Sequence, residues 1–334
     1  MFLKWLKNLK KNRGLYRDLY RCNYMINIQE NINLAQYSTF RVGGSARYFV
    51  QVSSQEELEE ALVFAKEKLL EVFVLGGGSN VIFSDDGFAG LVIRLVGNKI
   101  EKKEDEIICW AGTTLIELVN FAKENSFTGL EGLFGVPGTV GGAIFGNAGA
   151  FGSEISDFLV EVIAFDLEQQ KEAPFSKPEC IFNYRTSLFK ENKSLTIISA
   201  KFIFKKGNQE EIENKIREVN KQRGNKQPKD WIGSSGSFFK NPIVESEELI
   251  KQFEEEKETK VNDGKLPAGW LIEKAGLLGK QLGGVKVNEK NGNFIINTGG
   301  AKAQDVAMMV SLIKQQIRDK FDIQLQTEVQ LVGF

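Results

Sequence analysis

Histidine, the side chain that most readily changes charge near neutral pH, does not occur in this sequence. Its absence removes Ser-His-Asp and Cys-His nucleophilic catalysis, histidine general bases and imidazole metal sites together. Chemistry must then run on carboxylate, hydroxyl, lysine or arginine groups, or on a bound cofactor. Two glycine clusters could cradle one. Gly76-Gly77-Gly78-Ser79-Asn80 directly follows an apolar run, and glycines let a backbone approach a pyrophosphate with its N–H groups unobstructed. The cluster is not a Walker loop, for no Gly-Lys-Ser/Thr follows. Nor is it a Rossmann fingerprint, since Val81 stands where glycine is wanted and no helical pattern continues. Alone it reads first as a tight turn and second as a phosphate cradle. The other cluster runs from Val136-Pro137-Gly138-Thr139-Val140-Gly141-Gly142-Ala143 to Gly146-Asn147-Ala148-Gly149-Ala150. It is too glycine-rich for a stable helix, and its small residues suit a backbone lying along a flat ligand. Val136, Val140, Ile144 and Phe145 are too apolar for a solvated linker. Together the two clusters bring the dinucleotide reading level with the turn.

Such loops must hang on regular elements. Val42-Gly43-Gly44 reads as a turn before a strand at 46–52, and Ser54 with Glu57 as a capping box opening a helix over 55–68. Strands are expected at 71–75, 81–84, 91–95 and 107–110, a helix at 115–125, and loop over 129–152. Strands at 160–166 and 195–205 precede a polar helix at 210–223, and Gln227-Pro228 marks a boundary. Beyond it come a glycine-serine loop, helices at 246–257 and 270–275, a strand at 294–297 and a patterned helix at 303–321. In a final strand over 324–332, Leu325, Thr327, Val329 and Leu331 alternate with polar residues. The class is α+β.

The 334 residues suffice for two or three domains, and 42% hydrophobic against 26% charged is an ordinary globular balance. A net charge of −1 gives no field for nucleic acid. Cys22, Cys109 and Cys180 fit neither a disulfide framework nor a metal spacing, so no metal is expected, and buried thiols in a reducing, cytoplasmic compartment are. Residues 1–24 are basic, with seven lysines and arginines before Asn23 against the single acid Asp18. They contain no signal-peptide core and no run able to span a bilayer. The favoured reading is an extension, or a start set too early with Met25 the beginning. The other is a basic amphipathic helix at a membrane surface.

From Asn27 onward the chain carries Ser38-Thr39-Phe40-Arg41-Val42-Gly43-Gly44, Leu75 to Asn80, Gly129-Leu130-Glu131-Gly132-Leu133 and Pro137 to Ala143. Tyr184-Arg185, Gly236-Ser237-Phe238-Phe239-Lys240-Asn241-Pro242, Ala268 to Glu273, and Glu328-Val329 follow. In these motifs and their order the chain resembles the UDP-N-acetylenolpyruvoylglucosamine reductase family. The resemblance implies a vanillyl-alcohol-oxidase-type FAD-binding domain of two lobes over 25–222, and an α+β substrate domain over 223–334 whose last strand returns toward the flavin. It implies binding of FAD through Arg41, Gly76, Gly77, Gly78, Ser79, Asn80, Pro137, Gly138, Thr139, Gly141, Gly142 and Asn147. NADPH would reduce the flavin and leave, and UDP-N-acetylglucosamine enolpyruvate would enter overlapping space to receive hydride at its methylene carbon.

That addition leaves negative charge at C2, and the resemblance assigns its handling to three residues. Arg185 stabilises the enolate, Ser237 donates the proton, and Glu328 shares a hydrogen bond with the enolate oxygen, a role that burial favours by raising its pKa. Tyr184, Lys226, Lys240 and Asn241 are the matching substrate contacts, the last three for phosphate, with Arg223 a weaker candidate. Without histidine there is no histidyl link, so the FAD is expected to be non-covalent; the protein is expected to be a monomer. The chain departs from the pattern in places. The 187–206 stretch is too short for one branch's tyrosine-bearing lid, the acidic 243–266 connection is long, and Asn291 replaces a frequent histidine. Two other functions remain open: another flavoenzyme of the same fold, or a sugar-nucleotide-binding protein without turnover.

Overall fold

A computed structural model describes residues 26–104, 106–226, 228 and 232–334. The expectations for residues 1–24 lie outside the described residues.

The first sheet runs Gln29–Asn33, Ser45–Val52, Phe88–Leu95, Val72–Leu75, its last three strands parallel. Val50, Val52, Leu91 and Ile93 are fully buried, and they share a core with Leu58, Ala61, Leu62 and Ala65 from the helix Gln55–Glu67. That helix is capped by Ser54 Oγ, which accepts from Glu57 N at 3.3 Å, while Glu57 returns to the N–H of Ser53 at 2.6 Å. The cap is therefore one residue wider than the expected box. A second sheet orders Lys171–Ser176, Leu159–Asp166, Leu195–Ile203, Glu106–Trp110, Ile100–Lys103, all antiparallel. The helix Leu115–Glu124 packs on it behind a complete Thr114–Glu117 capping box. Cys109 and Cys180 are buried here, and burial pushes both thiols up to about 12.

Most of the remaining residues build a second core, which also takes in Phe40, Val42 and Ile82. Gly233–Ser237, Phe294–Asn297, Val285–Val287 and Gln281–Leu282 form an antiparallel sheet under the helix Ala303–Phe321, whose Val306, Met309, Val310, Ile313 and Ile317 are buried. The long acidic connection contributes the helix Glu247–Lys257, with Phe253 buried edge-on against Trp270 at 5.5 Å. The 187–206 stretch is taken up by the short helix Leu188–Glu191 and by strand.

Contacts between distant segments join these parts. Gln330–Val332 lies parallel to Val81–Phe83. The Asp85 carboxylate accepts from the N–H groups of Ala303 and Gln304 at 2.8 and 3.0 Å, supplying two of the acceptors that the start of a helix lacks. The turn at 84–87 is thus also a cap for another part of the molecule. Among the described residues no helix is long and apolar enough to cross a membrane, and no cluster could hold a metal ion.

Two expectations fail. Val140–Phe145 is a helix, although its glycines argued against one. Thr139 Oγ1 accepts from Gly142 N at 3.3 Å, and a Cβ on Gly141 would stand 2.9 Å from that of Ala111. Close packing therefore selects small residues and outweighs their poor propensity. The glycine-serine segment after 232 is a strand, because Phe294–Asn297 offers it a paired edge.

Candidate active site

The two glycine clusters are one structure. Strand Val72–Leu75 delivers Gly76-Gly77-Gly78 against the loop before Val140. Added Cβ atoms would meet Thr139 Oγ1 at 2.5 Å from Gly76 and Gly138 Cα at 2.7 Å from Gly77. Ser79 Oγ donates to the Pro137 carbonyl at 3.0 Å, tying the loops together. Thr39 N donates to Gly78 O at 3.0 Å, fixing the other side. The result is a backbone-walled cradle with no room for side chains, a surface suited to a flat, phosphate-bearing ligand.

The cradle forms one wall of a cavity of about 1070 Å³. That exceeds the roughly 300–1,000 Å³ of pockets for one drug-sized ligand. Tyr184, Arg185, Ser237, Asn241 and Glu328 line the facing side.

Arg185 sits in the tight Asn183–Thr186 turn with φ at +55°, a sparsely populated conformation held by reciprocal 3.2 Å backbone hydrogen bonds between Asn183 and Thr186. Its Nε donates to Glu328 Oε1 at 3.1 Å, and its Nη2 to Gly149 O at 2.6 Å. Lys190 Nζ donates to the Arg185 carbonyl at 3.0 Å. Burial raises the pKa of Glu328, and Arg185, Lys190 and Lys240 pull the other way. Burial lowers that of Lys190, helped by the charge of Lys240. The site gathers three cations about one carboxylate, a charge excess that favours an anion.

Glu328 is placed by the segment just before the strand Gln330–Val332. Asn80 Nδ2 donates to Glu328 O at 3.3 Å, Glu328 N to Phe238 O at 2.8 Å, and Lys240 N to Gln326 O at 2.9 Å. Ser237 is aimed by a β-bulge. Ser234 faces Ile296 while Ser237 faces Phe294, so Ser235 and Gly236 together oppose one residue. Gly236 has φ at +71° and open space around a Cβ position, so the conformation rather than room requires glycine. Behind the bulge, Asn293 clamps Phe239: its Oδ1 accepts from Phe239 N and its Nδ2 donates to Phe239 O, both at 2.9 Å.

A glycine cradle and an arginine–carboxylate pair with an adjacent serine could serve several reactions, and comparison with known proteins narrows them. A profile described as an FAD binding domain matches residues 46–167. One described as the UDP-N-acetylenolpyruvoylglucosamine reductase C-terminal domain matches residues 227–332. The reductase of that name from Latilactobacillus sakei is 37% identical over 312 residues, covering 93% of this chain and 95% of its own. The chain belongs to the UDP-N-acetylenolpyruvoylglucosamine reductase family. The reductase from Carboxydothermus hydrogenoformans is 38% identical over 310 residues, covering 92% of this chain and 94% of its own. The crystal structure of the Thermus caldophilus enzyme superposes with a TM-score of 0.74 at 31% identity, over 92% of this chain and all of that one. The chain is accordingly an α+β, FAD-dependent oxidoreductase.

Seen as a member of this reductase family, the chain does not bring every expected residue to the cavity. The cradle residues from Gly76 to Asn80, with Pro137, Gly138, Thr139, Gly141 and Gly142, all line it. Arg41 is exposed, at φ +63°, and does not. Asn147 is buried beneath Arg185, donating to Glu154 Oε2 at 2.8 Å and to Asn183 O at 3.2 Å. Asn241 Oδ1 is engaged by Ala268 N at 3.0 Å, and its N–H donates to Tyr184 Oη at 3.2 Å. Lys240 lies outside the lining, its charge felt at Glu328. The Lys226 side chain lies outside the described residues. Arg223, the weaker candidate, does line the cavity, half-buried, with Nη2 donating to Gly132 O at 3.2 Å. Sequence reasoning missed Lys190, Lys193 and Ser235, and gave Asn291 no role; all four line the cavity. None of them carried a local signal: Lys190 stands in the short helix Leu188–Glu191, which begins only after the turn that holds Arg185.

Proposed function

We propose that this enzyme reduces UDP-N-acetylglucosamine enolpyruvate to UDP-N-acetylmuramate, a peptidoglycan precursor, using NADPH and non-covalent FAD. The observation that carries the reading is the convergence of Arg185, Ser237 and Glu328 on the cavity that the glycine cradle also walls. The cradle residues Gly76–Asn80 and Pro137–Gly142 fit FAD, since a Cβ on Gly76 or Gly77 would drive the two loops apart and unmake the backbone wall they form together. When bound, FAD supplies the hydride carrier. Arg185 has a permanent charge and a fork suited to the substrate carboxylate, and it stabilises the charge that develops at C2. Ser237 gives its hydroxyl proton to C2. Glu328, with its pKa raised by burial, holds a proton toward the enolate oxygen and keeps Arg185 oriented. Tyr184, Asn241, Lys226, Lys240 and Arg223 receive the sugar nucleotide and its phosphates. We read the chain as a cytoplasmic monomer with no nucleic-acid partner, divided into an FAD domain over 25–222 and a substrate domain over 223–334. The core that runs from Ile26 to Ile216 lies wholly before that division, and the other, although it takes in Phe40, Val42 and Ile82, is built mainly from residues after it, which supports the boundary.

The test is a pair of half-reactions. Ser237→Ala leaves reduction of the enzyme's flavin by NADPH near the parent rate. It slows anaerobic reoxidation by the enolpyruvyl substrate by about 10²–10⁴-fold, the usual contribution of a positioned proton donor. Equal loss in both halves makes Ser237 structural. A purified protein that is colourless and takes up no FAD overturns the whole reading.

A further inference from the structure

Ser235, two residues before the proposed proton donor, is 2% exposed, and its Oγ has no hydrogen-bond partner. It lines the same cavity. A buried hydroxyl without a partner destabilises a fold, so a group at this place with no protein partner points to a ligand atom.

Which ligand follows from what holds the strand. Ser234, the preceding residue, accepts from Thr39 Oγ1 at 2.6 Å and donates from its N–H to Thr39 O at 3.2 Å. Thr39 in turn donates to Gly78 O at 3.0 Å. The 234–235 step is therefore strapped to the cofactor cradle, while Ser237 lies past the bulge toward Arg185 and Glu328. Two strand residues span only roughly 6–7 Å, which keeps Ser235 close to the reacting centre and so beside a ring rather than a distant diphosphate.

We infer that the Ser235 hydroxyl is a hydrogen-bond donor to a polar ring atom of the bound flavin. The inference rests on the reading that this cavity holds FAD. Ser234 provides an internal control. Its Oγ is also buried and unpartnered, yet the residue does not line the cavity.

The experiment is FAD titration of the apoprotein, followed by flavin fluorescence, with thermal unfolding of the apo form alongside. Ser235→Ala is expected to weaken FAD binding about three- to tenfold and to raise the melting temperature of the apoprotein, because an unsatisfied polar atom is gone. Ser234→Ala is expected to stabilise the apoprotein without changing FAD affinity. A structural role for Ser235 would move both readouts in the same direction. Parental FAD affinity in Ser235→Ala, or a lower apo melting temperature, overturns the inference. Failure of the parent protein to bind FAD overturns the reading beneath it instead.

Discussion

Asn293→Ala is the sharpest probe of how the substrate half of the site is held. Asn293 is 6% exposed, and its amide satisfies both the N–H and the carbonyl of Phe239, itself 1% exposed. Alanine leaves both backbone groups without a protein partner. An orphaned buried group costs about 1–3 kcal/mol, so the pair costs about 2–6 kcal/mol. For a unit of this size that is a fall in melting temperature on the order of 10 °C. The loss propagates, because the neighbouring Phe238 carbonyl accepts from Glu328 N and Ser237 precedes it directly. A displacement of about 1 Å at reacting groups lowers turnover about 10²-fold. The assays are thermal unfolding, amide exchange and steady-state kinetics. Phe239 loses protection while Ile295, in the middle of the same sheet, keeps it. Asn293→Asp, which retains the acceptor and loses the donor, falls between. A melting temperature within 2 °C of the parent, with Phe239 still protected, refutes the clamp.

Gly77→Ala and Gly236→Ala separate two uses of glycine. The first drives a Cβ to 2.7 Å from the Gly138 backbone and should abolish FAD binding. The second meets no protein atom and costs only about 1–2 kcal/mol of conformational strain, read as lowered stability of the apoprotein. For Glu328, burial raises the pKa above the ordinary 4.5. Its contribution to stability is therefore full below the unfolded value and lost as pH rises through the folded one. Glu328→Gln, which stays neutral, should gain melting temperature relative to the parent as pH rises above the ordinary 4.5, and a flat difference rejects this. Asp85→Ala should lower the stability of the helix Ala303–Phe321 by about 1–2 kcal/mol, seen as faster amide exchange in its first turn.

Elements whose signals are local were legible in the sequence. The Ser54 cap and the periodicity of Ala303–Phe321 sufficed for those helices, and the apolar run before Gly76 for its strand. Elements defined by a partner were not. Lys171–Ser176 and Ile100–Lys103 are charged edge strands, which carry polar residues where interior strands carry apolar ones. The Gly233–Ser237 strand has no β-forming side chain and exists because Phe294–Asn297 pairs with it. The alternation over 324–332 suggested a regular strand, but only Gln330–Val332 pairs as one. Leu325 and Val329 are buried four residues apart, and Leu331 is 38% exposed. At the site, the glycine loops were visible as clusters, but their mutual contact was not. Lys190 and Ser235 owe their positions to packing across segments, which no local pattern encodes.

The crossing of Gln330–Val332 beside Val81–Phe83 also bears on how the chain is made. Asn80 and Glu328, which hydrogen-bond each other, stand 248 residues apart. At a synthesis rate of about 5–20 residues per second, roughly 12–50 s separate their emergence from the ribosome. Throughout that interval Val81–Phe83, an apolar strand buried in the finished enzyme, has no partner on its pairing edge. An unpaired apolar edge recruits other strands. The nascent enzyme is therefore most vulnerable to misassembly before Glu328 exists, and the segment that brings Glu328 to the cavity is also the one that seals this edge.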